Sequence, residues 1–288
     1  MIRLEARSAF PSQAQLGEGP IWSGNDLLWV DIIEGKVLRS RASATSVVKA
    51  CGEPVSAAFP RQGGGYLLLQ NDAVAVLDSR FHEIDRISVP NLPQGSRLSD
   101  GAVGPSGELW FGSMRTDLSA GGSLYRLRPG ETQATEVVQG LGMPNGIGFS
   151  PDGRLMYLVD SANRTVNVLD YRAETQEVSG VRVFVEVSPE LGTPDGLAVD
   201  AAGGVWVAMW SGGRLRRAEH DGTWSQEILV PAKNVTSCAF GGDELRTLFI
   251  TTALVELSAE ERAQQPQAGS VFAILLPVGG VPQQEACI

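Results

Sequence analysis

The sequence predicts an all-β fold, a six-bladed β-propeller around a central channel, and three observations carry that prediction. A short apolar strand segment recurs six times, the recurrence has the period of a four-stranded blade, and helical patterning is scarce. The recurring segments are LLWV (27 to 30), YLLL (66 to 69), LWFG (109 to 112), MYLV (156 to 159), VWVA (205 to 208) and LFIT (248 to 251). Measured between Trp29, Leu67, Trp110, Tyr157, Trp206 and Phe249, the intervals are 38, 43, 47, 49 and 43 residues. A period of about 40 to 50 residues, rich in β-branched and aromatic side chains with turn signals between, matches four antiparallel strands per blade. Six such units nearly fill the 288 residues.

Each repeat starts with a strand-forming segment, passes a Gly- or Asp-containing turn and continues into the apolar segment above. Leucine-rich and ankyrin repeats are shorter and carry helical or Leu/Asn signatures absent here. A β-sandwich has many strands but does not repeat one hairpin at a regular interval. The clearest helical stretch is LSAEERAQQ (257 to 265), where Ser258 is placed as an N-cap and Glu261, three residues on, completes a capping box. This helix is expected to decorate a loop.

Composition fits one domain over residues 1 to 288. A chain of this length buries about three quarters of the surface exposed by its unfolded form, so its core needs no covalent staples. The 34 glycines suit tight hairpins, and no low-complexity tract or charge run interrupts the chain. A formal charge of −10 argues against nucleic acid, whose non-specific binding depends on Lys and Arg. The segment MIRLEARSAFPSQAQ has no apolar run of signal-peptide length, and no stretch reaches 18 apolar residues. These features predict a cytoplasmic monomer without a membrane partner.

Cys51, Cys238 and Cys287 lack CxxC spacing and are read as free thiols. His82 and His220 fit no metal-ligand or nucleophile motif and are read as surface residues. Gly63 to Gly65 has no following GK[ST], so it reads as a hairpin turn rather than a phosphate loop. The six tryptophans are assigned mainly to blade packing, with Trp210 at the end of a strand that can border the channel.

Counting back four residues from the apolar residue that ends each first strand (Trp22, Phe59, Val103, Phe149, Val199, Phe240) gives Glu18, Val55, Ser99, Asn145, Asp195 and Thr236. Residues four apart in a strand share a face, and the first strand of each blade lines the channel. Glu18, Asn145 and Asp195 would therefore converge near one axis. Two carboxylates and an amide oxygen form a hard-oxygen set for a divalent cation, with positions left for water and substrate. Without a cation, two close carboxylates in a channel are electrostatically costly.

The motifs LGEGPIW, SRLSDGAVGPSGELWFGSM, GMPNGIGFSPDG and TPDGLAVDAAGGVWVA resemble those of the SMP-30/gluconolactonase/luciferin-regenerating-enzyme family, with similarity running from about Leu16 to Pro277. NVTSCAFGGDELRTLFITTA, followed by LSAEERAQQPQAGSVFAI, is similar to the bacterial sugar-lactonase branch. The resemblance implies a six-bladed propeller with a divalent metal in its channel, hydrolysing sugar lactones to aldonic acids. It also implies Glu18, Asn145 and Asp195 as metal ligands, matching the register, and Arg97 as a substrate contact. The usual Asn of the family's R-x-N-D motif is replaced here by Ser99, which carries one hydroxyl where an amide would stand. An acidic contact of the family falls on Asp117.

The implied chemistry uses the metal as a Lewis acid and water activator, Asp195 as the proton acceptor and Arg97 to orient sugar hydroxyls. Calcium, magnesium, manganese, ferrous iron and zinc all remain compatible with oxygen ligands. Two other readings keep the fold: hydrolysis of aryl or organophosphate esters by the same metal site, and a non-enzymatic calcium-binding propeller.

Overall fold

The computed structural model describes residues 1–288 and shows six antiparallel four-stranded sheets in a ring. All six apolar segments found by periodicity are the second strands of successive blades. Their markers are buried: Trp29, Leu67, Trp110 and Trp206 are fully inaccessible, and Tyr157 and Phe249 nearly so. A strand packed on both faces requires a continuous apolar run, which explains why these segments lack polar alternation.

The innermost strands are Gly17–Ser23, Val55–Pro60, Ser96–Val103, Pro144–Phe149, Thr193–Val199 and Asn234–Gly241. Every one of them carries a β-bulge against its second strand. In blade 4, for example, Pro144 faces Asp160 and Ile147 faces Leu158, so Asn145 and Gly146 together oppose Val159. The structurally equivalent first bulge residues are Gly19, Ser56, Ser99, Asn145, Asp195 and Thr236. This corrects the sequence register in two blades. Glu18 and Val55 lie one residue before the bulge, because Trp22 and Phe59 sit one position earlier in their strands than Val103, Phe149, Val199 and Phe240 do.

The N-terminus closes the ring. Strand β1 (Ile2–Glu5) adds a parallel fifth strand to blade 5, and β2 (Arg7–Phe10) is the outermost strand of blade 6, antiparallel to Val271–Leu275. Phe10 is buried and stacks on Phe249 at 5.9 Å between ring centroids. The C-terminus runs under the opposite face: Ala201 N donates to Gly279 O (2.8 Å), Ala286 N to Pro60 O (2.9 Å) and Cys287 N to Gly107 O (2.8 Å), which links blade 5 to blades 2 and 3.

Blade interiors carry buried polar pairs. Asp200 is fully buried and accepts Trp206 Nε1 (3.0 Å), Gly204 N (2.9 Å) and Arg217 Nε (2.6 Å). The helix α1 (Ala259–Gln264) lies between the second and third strands of blade 6, with both capping-box bonds formed between Ser258 and Glu261. It is shorter than the stretch 257 to 265 expected from sequence. All three cysteines are free, His82 and His220 are exposed, and Gly63, Gly64 and Gly65 have φ of 81°, 99° and 94°, as a glycine turn requires.

Deletion of residues 1 to 5 is expected to lower Tm by only a few degrees, because Ile2 is 59% exposed. Deletion of residues 1 to 10 is expected to cost about 10 °C or more. It exposes the edge of blade 6 and removes Phe10, whose burial alone is worth about 1.5–3 kcal/mol at about 2–4 °C per kcal/mol. Equal losses in a thermal melt would show that β1, and not closure by β2, supports the ring.

Candidate functional site

Strand direction sets which groups meet. Innermost strands all start at one face of the ring, here the upper face, so residues near their beginnings gather at the upper channel mouth. Loops leading into two of them are pinned by buried aspartates at the ends of second strands. Asp31 accepts Gln15 N (2.8 Å) and Leu16 N (3.2 Å) just ahead of Glu18, and Asp160 accepts Gly142 N (2.8 Å) and Met143 N (2.9 Å) just ahead of Asn145.

Four ionisable side chains meet in the channel: Glu18 of blade 1, Arg97 and Asp100 of blade 3, and Asp195 of blade 5. Glu18 is 5% exposed, while the other three are half-buried. Burial, then Asp195 and Asp100, hold the Glu18 carboxyl well above its ordinary range, against the Gly19 N–H at 2.7 Å and Arg97. Burial and Asp100 push Asp195 well up, against the Asn145 amide and Arg97. Burial raises Asp100 to about 6, against the Gly101 N–H at 2.7 Å. The Arg97 guanidinium is lowered by burial and raised by Glu18 and Asp195.

Three carboxylates and one guanidinium thus share the channel, with Glu18 and Asp195 acting on Arg97. Fully ionised, they leave two negative charges without a partner, the charge of one divalent cation. Asn145 Nδ2 donates to Asp195 Oδ1 and lies 3.4 Å from Ser161 Oγ, so its amide oxygen is left without a protein donor. Glu18, Asn145 and Asp195 therefore supply the oxygen chemistry that a hard divalent ion requires. Arg97 uses Nη1 to hold Ser56 Oγ (3.0 Å) and Leu98 O (2.9 Å), and its Nε and Nη2 remain free for a ligand oxygen.

The structure treats the other two sequence candidates differently. Ser99 is 4% exposed and its hydroxyl donates to Pro144 O at 2.7 Å, so it is committed to the neighbouring blade's backbone instead of to a ligand. Asp117 sits on an exposed loop, held by Ser119 Oγ (2.6 Å) and Ser119 N (3.1 Å) and 3.5 Å from Arg115 Nε. Those bonds lower its pKa, and none joins it to Arg97 or the channel carboxylates. Asp100 is not among the site residues read from the sequence, although its SDG context parallels the PNG and PDG of the strands that carry Asn145 and Asp195.

Below these groups the channel widens into a cavity of about 250 Å³. Asp100 lines it together with Phe59, Val103, Phe149 and Phe240, and residues 281 to 284 line its lower end. Gln283 Oε1 there accepts Trp22 N at 3.0 Å.

Residues 16–254 match the family model described as SMP-30/Gluconolactonase/LRE-like region. The chain is 32% identical to regucalcin of Danio rerio over 290 residues, covering 98% of each chain. It is 37% identical to pentonolactonase XacC of Haloferax volcanii over 247 residues, covering 84% of this chain and 83% of that one. Among solved structures, a calcium-binding protein, regucalcin, from Agrobacterium tumefaciens superposes with a TM-score of 0.90 at 27% identity, over 99% of this chain and 97% of that one. With the family model matched over residues 16–254 and the six-bladed fold shared with these relatives, the chain belongs to the SMP-30/gluconolactonase/LRE-like family.

Proposed function

We propose that this protein hydrolyses the ring ester of a sugar lactone, an aldono-1,4- or 1,5-lactone such as xylono-, arabinono- or gluconolactone, to the aldonic acid, with one divalent cation at the upper channel mouth. The observation that carries this reading is the convergence of Glu18, Asn145 and Asp195 in a channel whose carboxylates outnumber its one guanidinium by two. A relative named for pentonolactone hydrolysis and a structural neighbour named for calcium binding support it.

When bound, the cation supplies Lewis-acid polarisation of the lactone carbonyl and makes water more acidic. Burial and Asp100 raise the proton affinity of Asp195 in the cation-free channel, and a bound cation would lower it, leaving the carboxylate ionised and able to act as general base. Asp195 takes a proton from the attacking water and returns it to the ring oxygen as the carbonyl carbon–oxygen bond breaks. Arg97 has two unused donor positions and orients the sugar's hydroxyl or carbonyl oxygens.

Metal-stripped protein is expected to leave the hydrolysis of a panel of pentono- and hexonolactones at the spontaneous rate, read as proton release. Adding back one of calcium, magnesium, manganese, ferrous iron or zinc is expected to restore turnover on at least one lactone. Asp195→Ala is expected to lower kcat by about 10²–10⁴ with the fold retained by circular dichroism. Preferred turnover of aryl esters would reassign the substrate class, and cation binding without turnover on either would sink the enzyme reading.

The charge balance also predicts a pH signature. In metal-free protein the folded Glu18 holds its proton to higher pH than the unfolded chain, whose value is near 4.5. Its burial therefore costs little below that value, and the cost grows as pH rises toward the folded pKa. Glu18→Gln is expected to raise Tm in chelator, by an amount that increases from pH 5 to pH 8, and to lower Tm at saturating cation. A Tm difference of one sign under both conditions would show that Glu18 does not hold the cation.

A further inference from the structure

The three proposed ligands share a feature that lies outside the channel. The carbonyl immediately before each one accepts a buried hydroxyl from the preceding blade. Thr236 Oγ1 of blade 6 donates to Gly17 O (2.6 Å), ahead of Glu18. Ser99 Oγ of blade 3 donates to Pro144 O (2.7 Å), ahead of Asn145. Ser161 Oγ of blade 4 donates to Pro194 O (2.7 Å), ahead of Asp195. These hydroxyl residues are between 0% and 6% exposed, so the bonds are sheltered from competition by bulk water.

The origin of each hydroxyl follows from the bulge. Thr236 and Ser99 occupy the first bulge position of their own blades, where the extra residue turns a short side chain toward the next blade. In blade 4 that position is taken by Asn145 itself, and the hydroxyl comes instead from Ser161, in the turn after the second strand. The donor has moved to another element and the bond to the carbonyl ahead of the ligand is still made. One further bond of this kind, Ser56 Oγ to Leu98 O (2.7 Å), precedes Ser99, which is not a proposed ligand.

We propose that Thr236, Ser99 and Ser161 are positioning residues of the cation site, each fixing the peptide that carries one ligand. A carbonyl held at 2.6–2.7 Å from a buried hydroxyl sets the orientation of the following peptide unit, and with it the direction in which the ligand side chain leaves the backbone. This role rests on the cation site proposed above. It assigns to Ser99 a backbone anchor for Asn145 in place of a contact with substrate, and it uses residues that touch neither substrate nor ion. Outer partners of this type commonly change metal affinity by about 10- to 100-fold when removed.

The test is calorimetric titration of metal-free protein with calcium, manganese and zinc ions separately, with Tm in chelator measured in parallel. Thr236→Val and Ser161→Ala are each expected to weaken binding of the preferred ion about 10-fold, and Thr236→Ser, which keeps the hydroxyl, to bind as wild type does. Thr252→Val is the matched comparison: Thr252 is 1% exposed and its hydroxyl donates to Ser270 O at 2.6 Å, a carbonyl that precedes no ligand. It is expected to lower Tm as the others do and to change the dissociation constant less than about 2-fold. The proposal is overturned by equal weakening in Thr252→Val, which would make these bonds general structural glue, or by unchanged binding in Thr236→Val and Ser161→Ala. Wild-type protein that binds none of the ions, or binds them as tightly after Glu18→Gln, would overturn the cation site itself and this proposal with it.

Discussion

Closure of the ring is the constraint on which the site depends. Glu18 comes from blade 1 and Asp195 from blade 5, so the two carboxylates face each other only because blade 6 stands between them and is complete. Blade 6 borrows its outermost strand from residues 7 to 10, and the same segment leads through a short loop into the strand that bears Glu18. Leu16 also bridges Ala253 at the end of the second strand of blade 6. The chain that closes the ring therefore delivers Glu18, the first of the proposed ligands, and any slack in closure would be felt as a displacement of Glu18 against Asn145 and Asp195.

Within the closed ring, the bulge decides which side chains reach the axis. A regular strand would send consecutive residues to opposite faces, whereas the extra residue gives each blade two adjacent positions near the channel. Blades 4 and 5 fill the second position with glycine because nothing larger fits. A Cβ on Gly146 would lie 2.5 Å from Leu197 N, and one on Gly196 would lie 2.1 Å from Ser237 Oγ. Blade 3 has Asp100 there, which adds the third carboxylate and joins the upper mouth to the cavity below. The same local irregularity thus produces a ligand in one blade, an anchor in another and an extra charge in a third.

This explains how far the sequence could be read. Second strands were legible because burial on both faces forces apolar runs such as VWVAMW and LWFG, and their spacing identified the ring. Asn145 and Asp195 were legible because the bulge leaves a repeated Pro-X-Gly in MPNG and TPDG. Glu18 was found by a count that fails structurally by one residue. It still reaches the same carboxylates, and its side chain is one methylene longer than an aspartate's. Ser99 occupied the right register, but register does not say whether a hydroxyl turns to the channel or to the next blade, and that choice is made by Pro144 O. Asp117 lies beyond the strand, where loop geometry replaces periodicity and no repeat constrains the chain.

Charge ties these features to the proposed reaction. In the proposed reaction a neutral lactone enters the channel and its product leaves as an anion. Among the channel's ionised groups, the anion meets the carboxylates of Glu18, Asp100 and Asp195 and has only Arg97 and the bound cation to hold it. The excess of carboxylates proposed to recruit a divalent ion would therefore also weaken retention of the acid formed. Arg97 offsets this effect only in part, since its Nε and Nη2 are free for the product while Glu18 and Asp195 compete for its charge. Substrate orientation by Arg97 and release of product are consequently set by one balance. A positive residue added at the mouth would improve capture of the lactone's oxygens and slow departure of the carboxylate in the same step.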